Sequence, residues 1–364
     1  MPIVNQTRRL LRLTTLFCVG FSPLLQAAGP ITTSDGLPVG HYRLPENGDV
    51  IGEVQTATSE HEETLIEIGH RYGVGFEEMR RANPKLNMWL PGDGTEVTVP
   101  TRFILPPGPR EGVVVNVAEM RLYYYPPNEE GETRQVETYP ISVGRMDWKT
   151  PLGTTRIIDK IENPLWYPPQ SIIKEHAERG DNLPSVVPAG PDNPLGKYKM
   201  RLDIPGYLIH GTNKPQGVGM RVTHGCIRML PEDIEQLFPR LPVGTQVRLI
   251  NETLKLGWSD DILYIQAYPG LEEQASTPIS RVTDALSAVS SVVEKREYPV
   301  DYGQLRAEVE SPSGMPVALQ LLDMQPRFDR FADDPSLYGK LYLVANPYWW
   351  EETQKALPIS TGPS

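Results

Sequence analysis

Cysteine is almost missing from this chain: two of 364 residues, Cys18 and Cys226. That excludes a disulfide framework and a cysteine-rich zinc ribbon, which need cysteines in sets. Basic residues are also scarce, 35 against 46 acids, for a formal charge of −11. A surface of that sign repels phosphate backbones and excludes nucleic acid as a natural partner. Long apolar runs are lacking apart from Leu13 to Leu25, too short for a stable bilayer crossing. Arg8, Arg9 and Arg12 precede that run and Gln26-Ala27-Ala28 follows it. This is the layout of a secretory signal peptide over residues 1–28, and the Arg8-Arg9 pair leaves general and twin-arginine export both open. The mature chain is therefore expected in the periplasm, with no membrane span.

Removal of the leader takes Cys18 with it and leaves Cys226 as the one mature cysteine. Exported proteins meet an oxidising compartment, where a lone thiol is a liability. Chemistry is a good reason to keep one.

Proline, by contrast, is abundant: 37 of 364 residues, roughly twice the usual share. That favours a loop-rich, β-containing protein. Residues 29–46 read as a linker. From 47 to 103 the order is β-α-α-β. "GDVIGEVQ" is the opening strand; "EETLIEIGHRYGV" places Leu65, Ile68 and Tyr72 on one helical face; "GFEEMRRANP" is a shorter helix; "WLPGDGTEVTVP" is a turn and closing strand. "LPPGPREG" (105–112) is a hinge. Beyond it, "VVVNVAEMRLYYYPP" predicts a hairpin, and "VETYPISVG", "GTTRIIDKI", "GYLIHGT" and "GTQVRLI" predict further strands. "LPEDIEQLF" predicts a helix with Pro231 in its first turn. Residues 163–196 form a long irregular insertion of the kind that shapes clefts. In the last part, 251–364, "DDILYIQAYP" predicts a strand and "SRVTDALSAVSSVVEKR" an amphipathic helix. The tail "YLVANPYWWEE" gathers Tyr348, Trp349 and Trp350, expected to cover the catalytic domain.

The chemistry concentrates in "IHGTNKPQGVGMRVTHGCIRML", residues 209–230. A thiol is a strong nucleophile only as thiolate, and a neighbouring histidine makes that possible by taking the proton. His210 and His224 are the two candidates. His210 must be brought across by the fold, whereas His224 shares a side with Cys226 if that segment is extended. Gly225 allows close approach of a substrate, and the N–H groups of Gly225 and Cys226 could hold an oxyanion. Thr212 and Thr223 supply hydroxyls, and Arg228 a charge suited to a carboxylate or to holding the loop. A zinc site from His210, His224 and Cys226 is the competing reading, though no nearby acid stands out to activate a metal-bound water. An inert buried cysteine and a mere tight turn are the others.

"HGT" at 210–212 followed by "RVTHGCIRM" at 221–229 resembles the signature of the L,D-transpeptidase catalytic domain, and "SVG" (142–144), "TPLG" (150–153) and "NPLG" (193–196) agree with it. The resemblance covers residues 111–250. It implies a mostly β, sandwich-type catalytic domain without cofactor or metal. It also implies two-step acyl transfer on peptidoglycan, with Cys226 as nucleophile, His210 as general base and acid, and His224 in support. Gly225 would donate to the oxyanion, and Gly211, Thr212, Arg221, Thr223 and Arg228 would contact substrate. The donor would be a tetrapeptide stem, cut between diaminopimelate and D-alanine. The acceptor would be a second stem (a 3→3 cross-link), a lysine of an outer-membrane lipoprotein, or water, which would make an L,D-carboxypeptidase. Residues 47–103 resemble a LysM module, a reader of wall glycan strands, through Thr64-Leu65, Tyr72-Gly73-Val74, Asn83-Pro84 and Pro91-Gly92.

Two rivals are open at this point. A sortase-like enzyme shares the order of histidine before cysteine, whereas papain-like enzymes reverse it. A non-catalytic wall-binding protein would not need Cys226 at all.

Overall fold

In the computed structural model, residues 31–321 are described, apart from 34, 129–132, 146–149, 271–276 and 295–297. The expected signal peptide and the aromatic tail at 342–352 lie outside the described residues.

The first part carries β1 (His41–Arg43), β2 (Val50–Gly52), β3 (Gln55–Thr58), α1 (Leu65–Arg71), α2 (Phe76–Ala82), β4 (Glu96–Val99) and β5 (Arg102–Ile104). The stretch 29–46, expected as a linker, contributes β1, and Tyr42 and Leu44 are buried in a core. The predicted opening strand also divides. Val50–Gly52 pairs with β5, and the partner of β4 is Gln55–Thr58. Gly52 makes the break, because its φ is +67° and a Cβ there would meet the Thr101 carbonyl at 2.1 Å. Helix α1 starts in a capping box, with Glu67 N donating to Thr64 Oγ1 at 3.1 Å and Thr64 N to Glu67 Oε2 at 2.9 Å. Leu65, Ile68, Val74, Met79, Val97 and Val99 close a small core between these helices and the β3–β4 pair.

The central part continues with β6 (Gly112–Asn116), β7 (Arg121–Tyr125), β8 (Gln135–Gly144), β9 (Gly153–Glu162), α3 (Gln170–Glu178), β10 (Tyr198–Leu202), β11 (Leu208–His210), β12 (Arg221–Thr223), β13 (Ile227–Met229), α4 (Pro231–Leu237) and β14 (Gln246–Ile250). The pairing order β8-β13-β11-β10-β9-β14-β6-β7 returns to β8. Two sheets are closed into one circuit by the two ten-residue strands. The first half of β8 pairs with β7 and its second half with β13, while β9 passes from β14 to β10. Alternation fills the interior: Val113, Val115, Leu122, Tyr124, Ile141, Ile157, Met200, Ile209, Ile227 and Val247 meet there, with Ile234 and Leu237 of α4. The opposite face of β6 and β7 is buried too, since Val114, Tyr123 and Tyr125 pack on Tyr42, Ile51 and Phe103. This is why those strands read as continuous apolar runs. The insertion is less irregular than expected, for it contains α3.

The last described part has β15 (Leu254–Ser259), β16 (Ile262–Ala267), α5 (Pro278–Val293), α6 (Tyr302–Glu310) and β17 (Val317–Ala318). Leu263, Ile265, Val289, Leu305 and Leu319 form its core. Lys255 of β15 is buried against Glu119, with Nζ 2.8 and 2.9 Å from the two carboxylate oxygens. The same carboxylate accepts from Tyr123 Oη at 2.6 Å, Tyr268 Oη at 2.8 Å and Asn116 Nδ2 at 3.1 Å.

Candidate active site

Three short strands set the site. Ile209 of β11 pairs in parallel with Ile227 of β13, and His210 with Arg228. On the other side of β11, Lys199 of β10 pairs with His210 and Met200 with Ile209. Met200, Ile209 and Ile227 are core residues. Paired residues share a face, so Lys199, His210 and Arg228 stand in a row on the opposite side. Two residues before Arg228 comes Cys226, and two before His210 comes Leu208. Thiol and imidazole are therefore diagonal neighbours on adjacent strands.

They open into a cavity of about 530 Å³. Its wall comes from the insertion and the β10–β11 turn: Leu165, Trp166, Tyr167, Ile172, Leu195 and Tyr207 are among the lining residues. His210, Thr223, His224, Cys226 and Arg228 line it as well. Gly211, Thr212 and Arg221, expected to contact substrate, do not. Gly211 takes part through its backbone, donating N–H to Tyr198 O at 3.1 Å. Thr212 is buried and its Oγ1 accepts from Lys214 N at 2.9 Å. Arg221 pairs with Val143 of β8. All three build the frame of the cleft.

The His210 ring lies 2.7 Å through Nδ1 from the Gly211 carbonyl. A carbonyl only accepts, so Nδ1 carries the proton and Nε2 keeps its lone pair. Burial, and next the Arg228 guanidinium, push the His210 pKa down to about 3. Cys226 is half-buried, and its thiol donates to Gly206 O at 3.6 Å. Burial raises the thiol above its ordinary value, against the lowering effect of a Leu208 backbone contact and of Arg228. Both shifts favour a neutral thiol beside a neutral imidazole before substrate arrives. Two hydroxyls fix the turn that presents the thiol. Thr150 Oγ1 donates to Gly225 O at 2.9 Å, and Thr223 Oγ1 to Cys226 O at 2.6 Å. A trans peptide directs N–H opposite to C=O, so the Cys226 N–H points away from Thr150.

His224 differs from the expectation of an extended segment. Gly225 has φ +98°, which bends the chain and turns His224 toward the insertion. There its Nε2 lies 2.9 Å from Glu175 Oε2 of α3. Glu175 also accepts from Arg145 at 2.6 Å and Arg179 at 2.5 Å. The Arg145 and His224 hydrogen bonds hold the Glu175 carboxyl down at about 2. Sequence reasoning missed Glu175 and Lys199; the alternation in "YKMRL", with Tyr198, Met200 and Leu202 inward, would have found the latter. Among the described residues no cluster of three or more His, Cys, Asp or Glu could hold a metal, and no helix is long and apolar enough to cross a membrane.

A thiol beside an imidazole base at the mouth of an open cleft is the equipment of covalent acyl transfer. Residues 110–249 match the YkuD family, the L,D-transpeptidase catalytic domain. "Probable L,D-transpeptidase ErfK/SrfK" of Escherichia coli (strain K12) is 38% identical over 290 residues, 76% of this chain and 90% of that one. "Probable L,D-transpeptidase YbiS" of the same strain is 36% identical over 321 residues, 85% and 99% of the two chains. The solved catalytic domain of the E. faecium L,D-transpeptidase is 22% identical, with a TM-score of 0.28, over 40% of this chain and all of that one. This chain belongs to the L,D-transpeptidase family.

Proposed function

We propose that this chain is an exported L,D-transpeptidase of the periplasm that acts on peptidoglycan stem peptides, with Cys226 as nucleophile and His210 as general base and acid. The observation that carries the reading is the β11–β13 register, which makes His210 and Cys226 diagonal neighbours facing one cavity. In the first step, Nε2 of His210 takes the thiol proton as sulfur attacks the carbonyl of diaminopimelate. The S–C bond forms, the C–N bond to D-alanine breaks, and the proton passes to the departing amine. In the second step an amine attacks the thioester, His210 takes its proton, and the thiol is regenerated. Cys226 N–H is the first oxyanion donor, with Gly225 N–H beside it. His224, held by Glu175, supports the turn. The acceptor is an amine, of a second stem or of a lipoprotein lysine, in preference to water.

Residues 47–103 act as a LysM-like tether to glycan strands and raise the effective concentration of stems. The β-α-α-β order supports this, and Trp89 and Leu90, 59% and 64% exposed, offer an apolar contact. Intact-protein mass spectrometry with a disaccharide-tetrapeptide tests the core of the reading. The expected product is an adduct of the muropeptide minus D-alanine, absent in Cys226→Ala. A folded, reduced protein that forms no adduct and releases no D-alanine would return the wall-binding alternative to first place.

A further inference from the structure

The row Lys199–His210–Arg228 carries more than a base. The cavity wall holds both of its cations and no aspartate or glutamate, in a chain whose acids outnumber its bases 46 to 35. Neither cation is spoken for. Among the described residues Arg228 has no ion pair, and its buried Nε has no hydrogen-bond partner. Lys199 is likewise without an ion pair among the described residues, while its neighbours are engaged, Lys197 with Glu235 at 2.8 Å and Arg201 with Asp159 at 3.9 Å. Glu175, which reaches the site through His224, is bound to Arg145, Arg179 and His224. Two half-buried cations on either side of the catalytic imidazole, with no carboxylate between them, form a seat for an anion. Trp166, Ile172, Leu195 and Leu208 add an apolar part to the wall, which strengthens any charge pairing made beside it.

We propose that Lys199 is a specificity-determining residue which, with Arg228, seats a free carboxylate of the donor beside His210, so that the enzyme selects stems with ionised carboxylates over stems in which they are amides. This rests on the transpeptidase reading and adds the charge state of the donor to it. Strand register gives the reason for the selectivity. Lys199 and Arg228 are both direct neighbours of His210, so a carboxylate between them also offsets the cationic field on the base. An amide brings no charge and leaves two half-buried cations unpaired.

Two measurements test it. In the first, wild type and Lys199→Gln are compared on a tetrapeptide donor and on the same donor with its diaminopimelate carboxylate amidated. Wild type should prefer the acid, and Lys199→Gln should lower that preference about tenfold, the weight of one charge-assisted hydrogen bond. Lys199→Arg should restore it. In the second, Cys226 is alkylated with iodoacetate and with iodoacetamide; sulfur gains the carbon and iodide leaves in both. The anionic reagent should lose rate relative to the neutral one in Lys199→Gln. An unchanged acid-to-amide ratio with an unchanged alkylation ratio overturns the inference while leaving the transpeptidase reading intact. Turnover of neither donor by wild type overturns that reading, and with it the selectivity. The alkylation ratio then still reports whether Lys199 places charge at the thiol.

Discussion

Arg121 and Glu78 meet in a buried bidentate pair: Nε and one terminal nitrogen of the guanidinium each lie 2.8 Å from a carboxylate oxygen. Arg121 belongs to β7 and Glu78 to α2, so the pair joins the β-α-α-β unit to the closed sheet. The guanidinium also donates to Gly73 O at 2.9 Å and Thr138 Oγ1 at 3.2 Å, and stacks over Phe103 at 4.1 Å. Burial alone would lower the arginine pKa, but the Glu78 carboxylate overcomes this and raises it. Removal of one partner strands a buried charge. Glu78→Gln should cost about 3–5 kcal/mol, and Glu78→Gln with Arg121→Met clearly less than the two single losses summed. Urea unfolding of the three variants reads this directly; additive losses would show that the pair is not coupled.

The same junction reaches the catalytic loop. Phe76 N donates to Val218 O at 3.1 Å and Glu77 N to Gly219 O at 3.2 Å, eight and seven residues before Cys226. Gly75 makes the approach possible, because a Cβ there would meet Gly219 Cα at 2.9 Å. Its own φ is −86°, so Gly75→Ala adds bulk without backbone strain. Overpacking of this kind costs about 1–3 kcal/mol. The variant should also show a lower kcat on a soluble tetrapeptide, which needs no tether. A loss of stability with kcat intact would mean that the contact holds the parts together without shaping the site.

Glu175→Gln should release His224 and the insertion helix together. The carboxylate is held at about 2, below its usual range, so the contact is present above the unfolded-state value and is lost only as pH falls through about 2. At pH 4 the wild-type insertion should still resist protease, whereas the Gln variant should be cut faster at pH 4 and pH 7 alike, with kcat about tenfold lower. Equal cleavage rates would assign α3 its place independently of Glu175.

For His210 the sign runs the other way from a paired histidine. Its folded pKa, about 3, lies below the unfolded value near 6.5. The unfolded chain binds more protons between those limits, and stability falls as pH drops from about 6.5 toward 3. Melting temperature should therefore decline from pH 7 to pH 4, and less steeply in His210→Asn. Alkylation of Cys226 by iodoacetamide should be slow at pH 7 and still rising past the ordinary thiol range, with no plateau from a preformed ion pair. A fast, flat rate across pH 5–8 would contradict the neutral resting pair.

Much of this was legible in the sequence, and the remainder fails for identifiable reasons. Apolar runs marked β6 to β8, and alternation β9 and β14, because each is at least five residues long. Strand β10 alternates as well, but it falls between the insertion and "GYLIHGT" and the sequence reading left it unassigned. Strands β12 and β13 span three residues each, too few for any period to show, and are fixed by pairing with β8. The proposed nucleophile and base were readable from "HGT" and "THGC" because each sits in a short run of distinctive residues. Glu175 was not, since its meaning comes only from a helix folded back over His224. The positive φ of Gly225 likewise has no signature beyond the glycine itself, and it bends the chain so that His224 meets Glu175.

The Lys255–Glu119 contact bears on where this enzyme ends. The match to the catalytic-domain family stops at residue 249, and the last part of the sequence was read separately, from 251. Yet Glu119, inside the matched segment, is wholly buried and takes its counter-charge from Lys255, beyond that segment. A chain cut after Ile250 would keep every strand of the closed circuit and lose the cation that neutralises its interior acid. The border of the catalytic-domain match and the energetic one are thus different lines on the same polypeptide. The first hairpin past the matched residues belongs, by its electrostatics, to the smallest piece able to fold.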